Sequence, residues 1–127
     1  MLSTDYSFGT IGFFIKQAKA GKDITLYGGG DTKRTFTHME DLCYQIVQGS
    51  MNKDSNGEIY NIGGQTLSLR EAAEFVAKKF KTNVVAVEWP EKDFRIESNH
   101  TYFDDTKIRS LLCIGEYKQL QEFSKDL

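Results

Sequence analysis

Three glycines in a row, Gly28-Gly29-Gly30, constrain this chain more than any other feature. Just ahead of them, Ile24-Thr25-Leu26-Tyr27 places apolar residues at every second position, the period of a short half-buried strand. With no Cβ at three successive positions, the backbone can reverse or hold positive φ without steric cost. Beyond the bend, Arg34 carries a permanent charge and a planar fork of donors, and Thr35-Phe36 continues extended. Two readings stand side by side here: a tight hairpin, or a bare loop that presents a cation to an anionic ligand. A guanidinium among apolar neighbours needs an anion, from an internal carboxylate or from a bound phosphate. Arg95 is a second candidate of the same kind.

Helix and strand signals alternate through the rest of the chain. Residues 1–9 are polar and expected to be loose. Ile11, Phe14, Ile15 and Ala18 recur at helical spacing, and Gly21 suits the left-handed position that ends a helix. Thr37 and Glu40 have the spacing of a capping box, which predicts a helix opening at Thr37 with Met39, Leu42, Cys43, Ile46 and Val47 facing the core. Glu58-Ile59-Tyr60-Asn61-Ile62 reads as a strand closed by Gly63-Gly64. Ser68 and Glu71 form a second capping box, opening a helix that buries Leu69, Ala72, Ala73, Val76 and Phe80 and leaves Arg70, Glu74, Lys78 and Lys79 wet.

Val84 to Trp89 predicts another strand, stopped by Pro90, the only proline. After a polar connector and a brief extended piece at Thr101-Tyr102-Phe103, Asp104 caps a short helix with Ile108, Leu111 and Leu112 inward and Gly115 at its end. Leu120, Phe123 and Leu127 suggest a weaker final helix. The expected fold is α/β (mixed α+β), with short strands alternating with about four to five helices. Residues 1–127 are expected to form a single domain.

Composition excludes several functions. Apolar residues at 39% and charged residues at 27% describe a globular chain, able to bury roughly two-thirds of its unfolded surface. A net charge of −2, with no basic run or aromatic–basic stripe, argues against nucleic acid and anionic membranes as partners. No apolar run approaches the roughly 18 residues of a membrane span, and no signal-peptide core opens the chain. Cys43 and Cys113 fall on apolar helical positions, so reduced core cysteines in a cytoplasmic protein are expected. His38 and His100 stand far apart with no acidic or thiol cluster beside them, so no metal site is expected; His38 reads as a capping or solvent-facing residue. Hydrolase, zinc-protease and Walker patterns are missing, and the triple glycine is not the Gly-x-Gly-x-x-Gly of a dinucleotide fold.

The run from Ile24 to Asp41 resembles a segment of extended short-chain dehydrogenase/reductases, where a strand, a Gly-x-Gly turn, an arginine, an aromatic and a helix follow in that order. Three further motifs follow in register. Gly57-Glu58-Ile59-Tyr60-Asn61-Ile62-Gly63-Gly64 resembles a family strand ending in Asn-Ile-Gly. Leu67-Ser68-Leu69-Arg70-Glu71 resembles a helix start, and Arg95 followed by Asp104-Asp105-Thr106-Lys107 resembles the closing motif. Phe14 to Gly21 is similar to the helix before the strand, so the likeness runs from Phe8 to around Gly115. The family is that of the NAD-dependent nucleotide-sugar epimerases and dehydratases, UDP-glucose 4-epimerase-like enzymes of which many are isomerases.

The resemblance implies the small, C-terminal substrate-binding domain of an extended short-chain enzyme, truncated in that its N-terminal NAD-binding Rossmann domain is absent. The family's catalytic Tyr-x-x-x-Lys has no counterpart, since four residues beyond the six tyrosines stand Thr10, Asp31, Gln48, Gly64, Thr106 and Gln121. The chain alone is therefore expected to have no catalytic residue, to bind no cofactor and to be inactive, with NAD(P) belonging to the full-length parent. By the same resemblance Arg34 would clamp the diphosphate of a nucleoside-diphosphate sugar, and Arg95 would approach it from the other side. Tyr27 would lie beside the base, Phe36 would occupy an aromatic position suited to packing, and Thr10 would stand near the phosphates. The family's Arg-x-Gly-Asp reads Arg95-Ile96-Glu97-Ser98 here, without the aspartate that relatives can offer to the ribose. The alternative is a non-enzymatic interaction or homo-oligomerisation module that keeps the fold and uses its apolar helix faces.

Overall fold

A computed structural model of the chain describes residues 9–94 and 99–123. The first helix, α1 (Gly9–Lys19), buries Phe14, Ile15 and Ala18 and closes at Gly21, whose φ of +69° is left-handed. Strand β1 (Ile24–Tyr27) follows with Ile24 and Leu26 inward, then a 3-10 turn over Gly28–Gly30 and strand β2 (Lys33–Phe36). Next come α2 (Met39–Met51), β3 (Gln65–Ser68), α3 (Leu69–Phe80) and β4 (Val84–Val87). Three short helices complete the order, α4 (Glu91–Phe94), α5 (Thr106–Leu112) and α6 (Leu120–Phe123). The expected mixture of α and β elements is what the chain forms. Among the described residues no helix is long and apolar enough to cross a membrane.

The glycine bend does not make a hairpin. Strand β1 pairs in parallel with β4, Ile24 opposite Val84 through Tyr27 opposite Val87, whereas β2 pairs antiparallel with β3, Lys33 opposite Ser68 through Phe36 opposite Gln65. The bend thus hands the chain from one two-stranded sheet to another. Its three glycines have φ of +59°, +83° and +76°, a sequence of left-handed turns that side chains with a Cβ rarely adopt.

Helices α1 and α3 pack on each other and on β1. Their core joins Phe14, Ile15, Ile24, Leu26, Leu67 and Val76, and the alanines at 72, 73 and 77 let the helix backbones approach closely. Each large side chain buried there contributes roughly 1.5–3 kcal/mol relative to leaving it in water.

Several sequence expectations shift at the helix ends. The Ser68–Glu71 capping box forms: Ser68 Oγ accepts from the Glu71 amide, and the Glu71 carboxylate accepts from the Ser68 amide at 2.8 Å. The Thr37–Glu40 box does not. Thr37 Oγ1 donates to the Gly63 carbonyl, so His38 is the N-cap, its Nδ1 accepting from the Glu40 amide. The Glu40 carboxylate instead pairs with Lys118 Nζ. At α5 the N-cap is Asp105 rather than Asp104, and Asp104, one residue earlier, accepts from the Thr106 amide; Cys113, not Gly115, adopts the left-handed end at φ +51°. Cys43 and Cys113 are both exposed rather than in the core.

The largest departures concern α2 and the segment that leads from it to β3. Met39, Cys43, Ile46 and Val47, expected in the core, are exposed, Leu42 is half-buried, and the fully buried residue is Gln45 at 1%. Gln45 is satisfied because its amide pairs with both main-chain groups of Gly63, Nε2 donating to the carbonyl and Oε1 accepting from the N–H. Glu58–Ile62 forms no ladder. Its predicted strand lacks a neighbour among the described residues, and an unpaired strand is not a sheet.

Hydrogen bonds from the amide and hydroxyl of Ser68 hold the Glu71 carboxyl below the usual carboxylate range. A carboxyl lowered in the folded state contributes stability that is present above that range and is lost as pH falls through the folded value. Glu71→Gln should therefore lower the urea midpoint most at neutral pH, with the gap to wild type closing in acid; a pH-independent gap would remove this assignment.

Candidate functional site

The bend at Gly28–Gly30 is flanked by two of the residues singled out in the sequence. Tyr27 ends β1 and is 45% exposed, and Arg34 lies on β2 just beyond the bend. Arg34 Nη1 donates to the carbonyls of Lys33 and Asn99, at 2.9 and 2.7 Å, and a parallel bridge joins Arg34 to Thr101. Main-chain oxygens on two segments therefore fix where this guanidinium sits. Phe36, two residues on, is half-buried against the core, consistent with packing. Thr10 is exposed in the first turn of α1. Arg95 lies outside the described residues.

The fold adds two side chains that the sequence reading did not select. Trp89 follows β4, and the parallel pairing of Tyr27 with Val87 brings its indole to the same end of the sheet, ring centroids 5.0 Å apart. A Cβ on Gly28 would overlap the indole nitrogen of Trp89, and one on Gly29 would sit 3.5 Å from Arg70 Nη2. The bend is bare for two reasons, its positive φ and the close neighbours of its outer glycines, the Trp89 indole at Gly28 and the Leu26 side chain at Gly30. The one available signal was the sole tryptophan standing directly before the sole proline, at a strand end; which strand it would join is a tertiary fact.

A separate hollow of about 420 Å³ lies beside Gln65, Arg109, Glu116, Tyr117 and Gln119, and neither Tyr27 nor Arg34 lines it. Its wall is a packed cluster. The guanidinium carbon of Arg109 lies 4.3 Å from the centre of the Tyr117 ring, and Arg109 Nε donates to Asp105 at 2.9 Å. The Tyr117 hydroxyl is buried without a hydrogen-bond partner among the described residues, and burial first, then the Asp105 carboxylate, push its phenol upward. Gly63 is required beside this cluster, because a Cβ there would overlap the Tyr117 hydroxyl and the Asp105 carboxylate. Among the described residues no group of three or more His, Cys, Asp or Glu side chains is gathered for a metal ion.

Residues 6–63 match the model of the NAD dependent epimerase/dehydratase family. A UDP-N-acetyl-alpha-D-glucosaminuronate decarboxylase from Bacillus cytotoxicus is 37% identical over 67 residues, which are 52% of this chain and 21% of that protein. A dTDP-glucose 4,6-dehydratase from Streptomyces niveus is 32% identical over 107 residues, 80% of this chain and 30% of the dehydratase. In structure the chain is similar to a UDP-glucuronic acid 4-epimerase from Bacillus cereus solved in complex with NAD. The TM-score is 0.72 at 23% identity, over 92% of this chain and 35% of the epimerase chain. The chain thus spans about a third or less of the length of each of these relatives.

Trp89 is the only tryptophan, so its fluorescence reports on this corner alone. Gly28→Ala is expected to shift that emission and to destabilise the fold by about 1–3 kcal/mol. In a Trp89→Ala background the cost should shrink. An equal cost in both backgrounds would mean that strain at positive φ, and not the indole, sets the need for glycine.

Proposed function

Because the chain belongs to the NAD dependent epimerase/dehydratase family, we propose that it forms the part of such an enzyme that binds a nucleoside-diphosphate sugar. In the parent enzyme, hydride transfer at a sugar carbon would take place against NAD held by a Rossmann domain outside these residues. The observation that carries this reading is the placement of Arg34 and Tyr27 at the two ends of one bare bend, a cation and a half-exposed aromatic ring. A guanidinium can pair two phosphate oxygens at once, and an aromatic face suits a base. In this reading Arg34 clamps the diphosphate, Tyr27 lies beside the base and Phe36 supports the strand from the core side. Thr10 offers a hydroxyl near the phosphates, and Arg95 supplies a second cation. The relatives named above act on UDP- and dTDP-linked sugars, which supports this ligand class.

The described residues do not fit a dinucleotide of their own. A pyrophosphate is held where a glycine-rich turn opens a helix and offers its free amides. Here the bend at Gly28–Gly30 leads into β2 and Gly63-Gly64 leads into β3, so neither presents a helix N-terminus. No step of the chemistry is therefore assigned to these residues. The reading includes a cytoplasmic setting, in which the exposed Cys43 and Cys113 stay as thiols.

Calorimetry with UDP, dTDP, CDP and GDP and their glucose conjugates tests the proposal. At least one should bind, and Arg34→Ala should weaken it by about 1.5 kcal/mol or more, the order of a charge-assisted hydrogen bond. Equal affinity in the mutant would remove Arg34 from the site.

A further inference from the structure

We propose that Arg70 and Trp89 complete, with Tyr27, a recognition corner for the base of the nucleotide, and that this corner selects a base bearing a ring carbonyl. The inference rests on the nucleotide-sugar reading above, which gives neither side chain a role. Strands β1 and β4 are parallel, so both end at one edge of their sheet, and ligands of parallel sheets gather outside the carboxyl ends of the strands. Tyr27 is the last residue of β1, Trp89 follows the end of β4, and the glycine bend starts at the same edge. The Trp89 indole lies against Gly28. Arg70, in the first turn of α3, reaches the next residue of the bend, its Nη2 being 3.5 Å from the place a Cβ would take on Gly29. Residues 27, 28 and 29 thus carry or touch, in turn, a phenol ring, an indole and a guanidinium.

The indole packs on Tyr27 with ring centroids 5.0 Å apart and still leaves the tyrosine 45% exposed, so a flat ligand can stack on the part that remains. Stacking alone accepts any base, because every base has a π-face. Choosing among bases takes a hydrogen-bonding group at the base edge. Arg70 is such a group, a half-buried fork of donors with no acceptor of its own. Among the described residues Arg34 donates to main-chain carbonyls and Arg109 to Asp105, whereas Arg70 has no hydrogen bond or ion pair. A half-buried guanidinium left so calls for an acceptor from a ligand. Uracil, thymine and guanine offer a ring carbonyl to such a fork, and adenine has none. A base edge is favoured over a phosphate because the indole is the neighbour of Arg70 along the bend, while the cation assigned to the diphosphate, Arg34, stands beyond it on β2.

The test is calorimetry of the chain with UDP, ADP and inorganic pyrophosphate, with Trp89 emission read in parallel. Wild type should bind UDP about tenfold or more tighter than ADP, the order of one good base-edge pair. Arg70→Met keeps the aliphatic stem and removes the donors; it should bring the UDP to ADP ratio close to one without changing the affinity for pyrophosphate. Trp89→Ala should weaken UDP and ADP alike, by about fivefold or more, and Trp89→Phe should restore both. Retained pyrophosphate binding also reports that each variant is folded. In wild type UDP should shift the tryptophan emission and pyrophosphate should not. Equal binding of UDP and ADP by wild type overturns the proposal, and so does an unchanged ratio in Arg70→Met. A loss of pyrophosphate binding in Arg70→Met that matches its loss of UDP would make Arg70 a phosphate ligand, which overturns the base assignment. These failures leave the nucleotide-sugar reading standing, since Arg34→Ala should still weaken UDP, ADP and pyrophosphate together. A wild type that binds none of the three overturns that reading and this inference with it.

Discussion

Parallel pairing of Ile24–Tyr27 with Val84–Val87 closes a loop that contains α2, β3 and α3. Such a closure costs chain entropy, and parallel ladders are slightly less stable per residue than antiparallel ones. Two short strands do not hold it on their own. An apolar layer laid across the closure offsets that cost, with Ile24 and Leu26 beneath Phe14, Ile15 and the Ala72–Ala73–Val76–Ala77 side of α3. This closure sets the position of Trp89, the need for a bare bend at Gly28, and the transfer of the chain from the β1–β4 sheet to the β2–β3 sheet. The corner that holds Tyr27 and Arg34 depends on a core several residues away.

A second arrangement, in α2, runs against the usual sense of an amphipathic helix. The buried side of α2 is organised around a glutamine, and its aliphatic stripe faces outward. Burial of Gln45 is tolerable because both ends of its amide are used on the main-chain N–H and C=O of one residue, Gly63, the pairing that a neighbouring strand would otherwise make. A Cβ on Gly63 would overlap the Tyr117 hydroxyl and the Asp105 carboxylate. Residues 38–63 are thus anchored firmly at one end, while the stripe and Ile59 remain exposed.

How much was legible in the sequence varied with the range of the interaction involved. Local signals held: the α1 stripe, the alternation of β1, and the Ser68–Glu71 box all depend on residues within one turn or one strand of each other. The Thr37–Glu40 box has the same local pattern and failed because distant groups, the Gly63 carbonyl and Lys118, took its two side chains. Of the candidate site, Tyr27, Arg34 and Phe36 were selected from spacing and family likeness. Trp89 and Arg70 were not, because their approach to the bend is made by strands and helices far apart in sequence.

By itself the sequence determined which segments carry the period of α1, β1 and α3, that the bend at Gly28–Gly30 is free of side chains, and which family the order of motifs resembles. Each of these is written in neighbouring residues, through steric limits on φ and ψ and through hydrophobic spacing. Only the tertiary structure decided which strands pair, which face of α2 is buried, and that Glu58–Ile62 stays without a ladder. Pairing and burial are properties of two surfaces, and one stretch of sequence specifies only one of them.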